Sequence, residues 1–136
     1  MLQVYSSALT QAADAVFPFN NVVIDKGCGE TLSAPASVQL NQRGVYLVEV
    51  DGFGTGAATA TGSAQLYVNG VAQPQAISTY GAAAGTVSNF GFKTFVQVVE
   101  NNCKCNTLSS PTVLQVMNGD AALTDAHINM VVTKIK

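Results

Sequence analysis

The sequence predicts an all-β chain, a sandwich or barrel of seven or eight short strands in one domain. Three observations carry this. Apolar residues alternate with a period of two along most segments, no segment sustains a helical period, and Asn-Gly and Gly-rich turn signals separate the segments. At 136 residues, with no internal repeat, the chain fits a single domain.

Taken in order, residues 1–19 precede the first clear strand and read as an N-terminal arm, with residues 20–136 as the domain proper. Within the arm, residues 7–16 are Ala-rich and are the one place where a helical turn or two is plausible, with Pro18 as its stop. In residues 21–25, Val22 and Ile24 share a face, as do Val38 and Leu40 in residues 37–41. Arg43-Gly44 then turns the chain into residues 45–50, where Tyr46, Val48 and Val50 point one way and Val45, Leu47 and Glu49 the other. A segment apolar on nearly both faces is what a covered, central strand requires. Residues 63–68 set Ala64, Leu66 and Val68 against Gln65 and Tyr67 and end at Asn69-Gly70, a strong hairpin signal. Phe95 and Val99 oppose Val96 and Val98 in residues 94–99. Residues 113–117 run into a second turn signal at Asn118-Gly119, and residues 128–135 are again apolar on both faces. The stretches 52–62 and 81–88 are rich in Gly, Ala, Thr and Ser. They read as loops or as small-residue strands pressed against a neighbour.

Composition narrows the function. Hydrophobic residues make up 48% of the chain and charged residues 10%, too apolar for disorder and poor in charge for a solvated monomer surface. Subunit contact is the economical explanation. The net charge of −2 and six dispersed Lys and Arg offer no basic field for nucleic acid. No run approaches the roughly 18 apolar residues of a membrane-spanning helix. Residues 1–19 lack Lys and Arg and an unbroken apolar stretch, so they do not read as a signal peptide. A chain made and kept in cytoplasm fits best, with its three cysteines initially reduced.

Candidate chemistry is sparse. On a strand, Cys103 and Cys105 would share a face roughly 6–7 Å apart, a spacing suited to a shared metal or a third thiol. With Cys28 and the single His127 they make a four-ligand zinc set arithmetically available. A Cys28 disulfide and three inert, packed thiols are the other readings, and inert thiols are the one preferred here. Cofactor binding is therefore not expected. Nor is catalysis. Asp125 and His127 sit two apart near a strand start, no Gly-x-Ser-x-Gly elbow occurs, and no two acidic residues are paired by spacing. Gly52-Phe53-Gly54-Thr55-Gly56 lacks the Lys-Ser/Thr of a phosphate loop and no helical pattern follows it.

The order of segments resembles the C1q/TNF-like jelly roll. A Gly44-Val45-Tyr46-Leu47-Val48 strand follows a polar turn, a Leu66-Tyr67-Val68-Asn69-Gly70 hairpin comes next, and an apolar strand closes the chain. The match is closer to small C1q/TNF-like proteins of bacteriophages and prophages, on Gly27-Cys28, the Gly-Val-Tyr-Leu-Val strand, Cys103-Lys104-Cys105 and the terminal Val131-Val132-Thr133-Lys134-Ile135. A collagen stalk and the usual aromatic density are missing, so complement or cytokine roles are not implied. The resemblance implies a homotrimer built into or onto a virion, assembled in the cytoplasm of a host bacterium: a head-decoration or head-fibre subunit whose partners are itself and a capsid or fibre protein. By analogy its threefold interface would use Tyr46, Val48, Ile128, Met130 and Val132, although period two alone leaves these equally readable as sandwich core. The arm, with Leu2, Val4, Tyr5, Phe17 and Phe19, would then dock the trimer on its particle. The alternative is a module that reads a glycan or protein receptor on a host surface through loops at 52–62, 73–80 or 81–89. There Tyr67, Tyr80 and Phe90 are the nearby aromatics, and the chain has no Trp.

Overall fold

The period-two segments do form strands. The computed structural model describes residues 1–33, 35–99 and 107–136. Among them lie β1 (Leu2–Gln11), β2 (Asn21–Asp25), β3 (Glu30–Ser33), β4 (Ser37–Gln42), β5 (Gly44–Gly56), β6 (Ala60–Val68), β7 (Val71–Ala82), β8 (Val87–Val98), β9 (Thr107–Asn118) and β10 (Leu123–Lys134). They make two five-stranded antiparallel sheets, ordered β2-β1-β10-β5-β8 and β3-β4-β9-β6-β7. No helix occurs among the described residues.

Alternation decides what lies between the sheets. In the first sheet Leu2 and Val4 on β1, Ile128, Met130 and Val132 on β10, and Tyr46, Val48 and Val50 on β5 all face inward and are buried. The second sheet answers with Val38 and Leu40, Leu114 and Val116, and Ala64 and Leu66. Phe17 and Phe19, on the segment that leaves β1 for the second sheet, fill the space between. That segment is tied down along its length: the Phe17 amide donates to the Val116 carbonyl at 2.8 Å and the Phe19 amide to the Pro35 carbonyl at 2.6 Å.

Two sequence expectations are corrected, and a third, left open between a loop and small-residue strands, is decided for strands. Residues 7–16 are not helical. Leu2–Gln11 is a strand, held by β10 along its length and by β2 over Leu2–Tyr5, and pairing with β10 at Leu9 and Gln11 outweighs the modest helix preference of its alanine. Residues 1–19 are consequently no separate arm. The Gly-rich stretch 52–62 is no single loop either, since β5 runs to Gly56 and β6 begins at Ala60. A β-carbon at Gly52 would overlap the ring of Phe90, and one at Gly62 the ring of Tyr80. These glycines mark the places where a cross-strand aromatic lies over bare backbone, and Phe17, Phe90 and Tyr80 continue as a stack with centroids 5.5 and 5.6 Å apart.

The two Asn-Gly pairs behave differently. Asn69 and Gly70 adopt φ of 49° and 78°, the two left-handed positions of a tight β6–β7 hairpin. Asn118-Gly119 instead begins the crossing from one sheet to the other. The Asn118 side chain is buried, accepts a hydrogen bond from the Tyr80 hydroxyl at 2.9 Å, and donates to the carbonyls of Ala12 at 2.9 Å and Ala121 at 2.7 Å. One amide thus ties β7, the β1 exit and the β9–β10 crossing together.

Two outcomes follow. Asn118→Ala strands a buried hydroxyl and two carbonyls, and should cost about 2–3 kcal/mol in denaturant unfolding at fixed protein concentration, with Tyr80→Phe costing less. Deleting residues 1–19 removes β1 and two core phenylalanines. It should abolish the near-ultraviolet circular dichroism of the fold itself; a truncated chain that keeps that signal would contradict the structural role given to this segment.

Candidate interaction surface

The first sheet has a second face. Because successive side chains alternate, the inward row of β5 leaves Val45, Leu47, Glu49, Asp51 and Phe53 pointing away from the core. Register sets their neighbours. Leu47 lies opposite Phe95 and Thr133, Glu49 opposite Lys93 and Val131, Asp51 opposite Asn129, and Phe53 opposite His127. Phe95 is 63% exposed and Phe53 44%. His127 is stacked between two rings, with centroids 6.0 Å from Tyr5 and 5.2 Å from Phe53.

The polar groups on this face are already paired with one another. Gln3 Nε2 donates to Asn129 Oδ1 at 3.1 Å, Asn129 Nδ2 donates to Asp51 Oδ1 at 3.1 Å, and Lys93 Nζ meets Glu49 Oε1 at 2.6 Å. Covering this face leaves the Gln3 and Asn129 amides and the Glu49–Lys93 pair with partners, while Asp51, which accepts from a neutral amide, carries the charge whose desolvation a partner must offset. The outer face of the second sheet differs. It presents Gln39, Val113, Gln115, Tyr67, Gln65, Ile77 and Thr79, with no Asp, Glu, Lys or Arg among the described residues. The low charge of the composition is thereby accounted for: one broad face is uncharged and the other carries few, mostly paired, charges.

The residues expected at a threefold interface lie elsewhere. Tyr46, Val48, Ile128, Met130 and Val132 are each 0% exposed and pack against the second sheet, so they cannot touch another subunit. The sequence held the deciding signal in Glu49, whose charge belongs on the solvent side and takes Leu47 and Val45 with it. Of the docking-arm residues, Leu2, Val4, Phe17 and Phe19 are fully buried core, and only Tyr5 reaches the outer face. Cys103 and Cys105 lie outside the described residues. Cys28 is exposed and adjoins Gly29, which sits against the Lys134 side chain. His127 is seven residues away along β10, roughly 23 Å, so Cys28 and His127 cannot share a metal ion. No group of three or more metal-ligating side chains occurs among the described residues. Tyr80 and Phe90, offered for stacking on a sugar, are buried, and residues 73–80 belong to strand β7.

No protein-family model and no curated protein matches the sequence. Solved structures do match the fold. The globular domain of zebrafish complement 1qA protein superposes with a TM-score of 0.74 at 9% identity, covering 99% of this chain and 96% of that one. PRD1 vertex protein P5 gives 0.61 at 20% identity, again over 99% and 96%. Eiger TNF from S. frugiperda gives 0.64 at 17% over 99% and 86%. At such identities the likeness is one of fold, and it bears out the jelly roll expected from the order of segments.

Tyr46 itself has a measurable signature. Its hydroxyl donates to the Gln42 carbonyl at 2.8 Å, and burial, reinforced by the nearby Glu30 carboxylate, pushes its pKa up to about 12. The folded chain thus holds the phenol proton more tightly than the unfolded chain, whose tyrosine ionises near its ordinary value of 10.0. The contribution is complete below that pH and is lost as pH climbs toward 12. Unfolding midpoints measured across this window should fall more steeply for the natural protein than for Tyr46→Phe; parallel curves would show that the phenol is not held in this way.

Proposed function

From its C1q/TNF-like jelly roll we infer that the chain is a non-enzymatic virion structural protein, a homotrimeric head-decoration or head-fibre subunit of a bacteriophage whose work is assembly. The observation that carries this reading is the outer face of the first sheet. It combines exposed Phe95 and Phe53 with Leu47, Val45 and Val131 around polar groups that are already paired. Two exposed phenylalanines on one sheet face, with Val45 and Leu47 beside Phe95, are apolar surface that a partner copy would cover. Symmetric closure is the normal way to cover it.

The threefold form follows from the resemblance to C1q and TNF domains, and the virion from the likeness to a vertex protein. Within such a trimer the face bearing Leu47 and Phe95 takes the place of the Tyr46–Val132 set. The host-surface alternative has lost two of its three aromatic contacts to the core, and nothing in the geometry restores it.

The mass in solution tests the reading. The expected value is near three times 14.1 kDa. Phe95→Glu, which would bury an unpaired carboxylate beside Glu49, should weaken association by on the order of 3 kcal/mol, roughly a hundredfold. Tyr67→Glu on the second sheet should leave it intact. A natural chain that stays monomeric at working concentration, or a Phe95→Glu variant that assembles as before, would remove the support for this interface. Threefold density of matching shape in a particle reconstruction would establish the virion role.

A further inference from the structure

The six Lys and Arg are dispersed from Lys26 to Lys136 and form no patch along the sequence. The fold gathers them. Antiparallel register brings the end of β2, the β4–β5 turn, the end of β8 and the end of β10 to one end of the sandwich, where Asp25 pairs with Leu2, Gly44 with Val98 and Lys134 with Tyr46. Lys26, Arg43, Lys134 and Lys136 are all exposed there. Gly44, next to Arg43, lies against both the Lys134 side chain and the Lys136 backbone, and Lys134 Nζ is held by Gln42 Oε1 at 2.9 Å.

The acids at this end do little to cancel them. Asp25 is exposed, but Glu30 is buried, with its carboxylate engaged by the Lys134 backbone amide at 3.0 Å and the Met1 amino group at 3.3 Å. The opposite end, where β5 turns into β6, exposes Asp14, Asp120 and Asp125. It has no Lys or Arg among the described residues. Lys93 is the one other cation described, and it is spent in the Glu49 pair on the sheet face.

We propose that the basic end is a docking surface for an acidic, partly apolar segment of a partner protein. A pocket of about 490 Å³ opens at this end, its lining joining Arg43 and Lys136 to Val45, Val98, Val99 and Gln97. A carboxylate next to an aliphatic side chain satisfies such a lining in both respects: the guanidinium takes the carboxylate in a two-pronged contact while the valines cover the aliphatic group. A phosphodiester backbone would leave the valines unused and would call for a longer track of cations. The inference rests on the placement of charge at this end; Val45 lies at the border between the pocket and the outer sheet face, so binding is read on the chain in its natural assembly state.

Fluorescence anisotropy of the full chain with a labelled peptide rich in glutamate and valine tests it. Binding should be clear at about 50 mM salt and weaken roughly tenfold or more by about 300 mM. The counterpart peptide with glutamine for every glutamate should not bind. Arg43→Glu with Lys136→Glu should reduce binding at least tenfold, while Asp120→Lys at the far end leaves it unchanged. The double variant should keep the circular dichroism and solution mass of the natural chain, which separates this test from that of the subunit interface. Equal binding of the glutamine peptide, or no response to the double variant, overturns the proposal. So does preferential binding of a short DNA duplex or of phosphatidylserine vesicles. A salt-sensitive larger species abolished equally by Arg43→Glu and Asp120→Lys would mean end-to-end stacking of copies, and overturns it too.

Discussion

Strand β10 is hydrogen-bonded along both edges, to β1 on one side and β5 on the other, so the first and last strands of the chain are neighbours at the centre of one sheet. With β10 fixed between them, Met130 shares its row with Val4 and Val50, and Val131 with Gln3 and Glu49. A shift of one residue at either pairing would exchange those rows. The apolar row would then meet solvent and Glu49 would enter the core. The penalty for that exchange, several buried aliphatic side chains and a desolvated carboxylate, is what makes the register unique.

Once the rows are fixed, the rest of the surface has little freedom. The outer face must carry what the inner row excludes. In this chain those residues are a few apolar side chains and a polar set that closes on itself through Gln3, Asn129 and Asp51. A conventional charged face would resist being covered, and a wholly apolar one would invite indiscriminate association. The mixed face lies between the two: covering it costs the desolvation of Asp51 and of the Glu49–Lys93 pair, and the fixed positions of the pairs favour one arrangement of the partner.

Much of this was legible in the sequence where period two was strong. The bounds of β2, the grouping of Tyr46, Val48 and Val50 on one face of their strand, and the hairpin at Asn69-Gly70 follow from alternation and turn chemistry. What was illegible depends on partners far away in the chain. Ala8, Ala12 and Ala13 look helical until β10 pairs with Leu9 and Gln11 and the Asn118 side chain takes the Ala12 carbonyl, and Gly52 and Gly62 read as well in loops as in strands until Phe90 and Tyr80 are laid over them. Pro74 likewise obscured β7, where it is tolerated because that strand forms a sheet edge. The interface residues were misplaced for a different reason. A strand apolar on both faces gives no preference by periodicity, and Glu49 was the one side chain able to break the tie.

The charges show most plainly why a site can be invisible in a sequence and plain in the fold. Antiparallel connection returns the chain to the same end of the sandwich every second strand, so residues as far apart in sequence as Lys26 and Lys136 come to one end. Alternate turns collect Asp14, Asp120 and Asp125 at the other end. The resulting polarity runs along the strands, whereas the apolar face is presented sideways, across them. The two surfaces meet at one edge, where Val45 belongs to the outer face of β5 and also lines the pocket at the basic end, while Lys26 and Lys134 lie outside that pocket. Most of the described charges thus lie at the two ends of the strands, while the outer face of the first sheet keeps Glu49, Asp51 and Lys93.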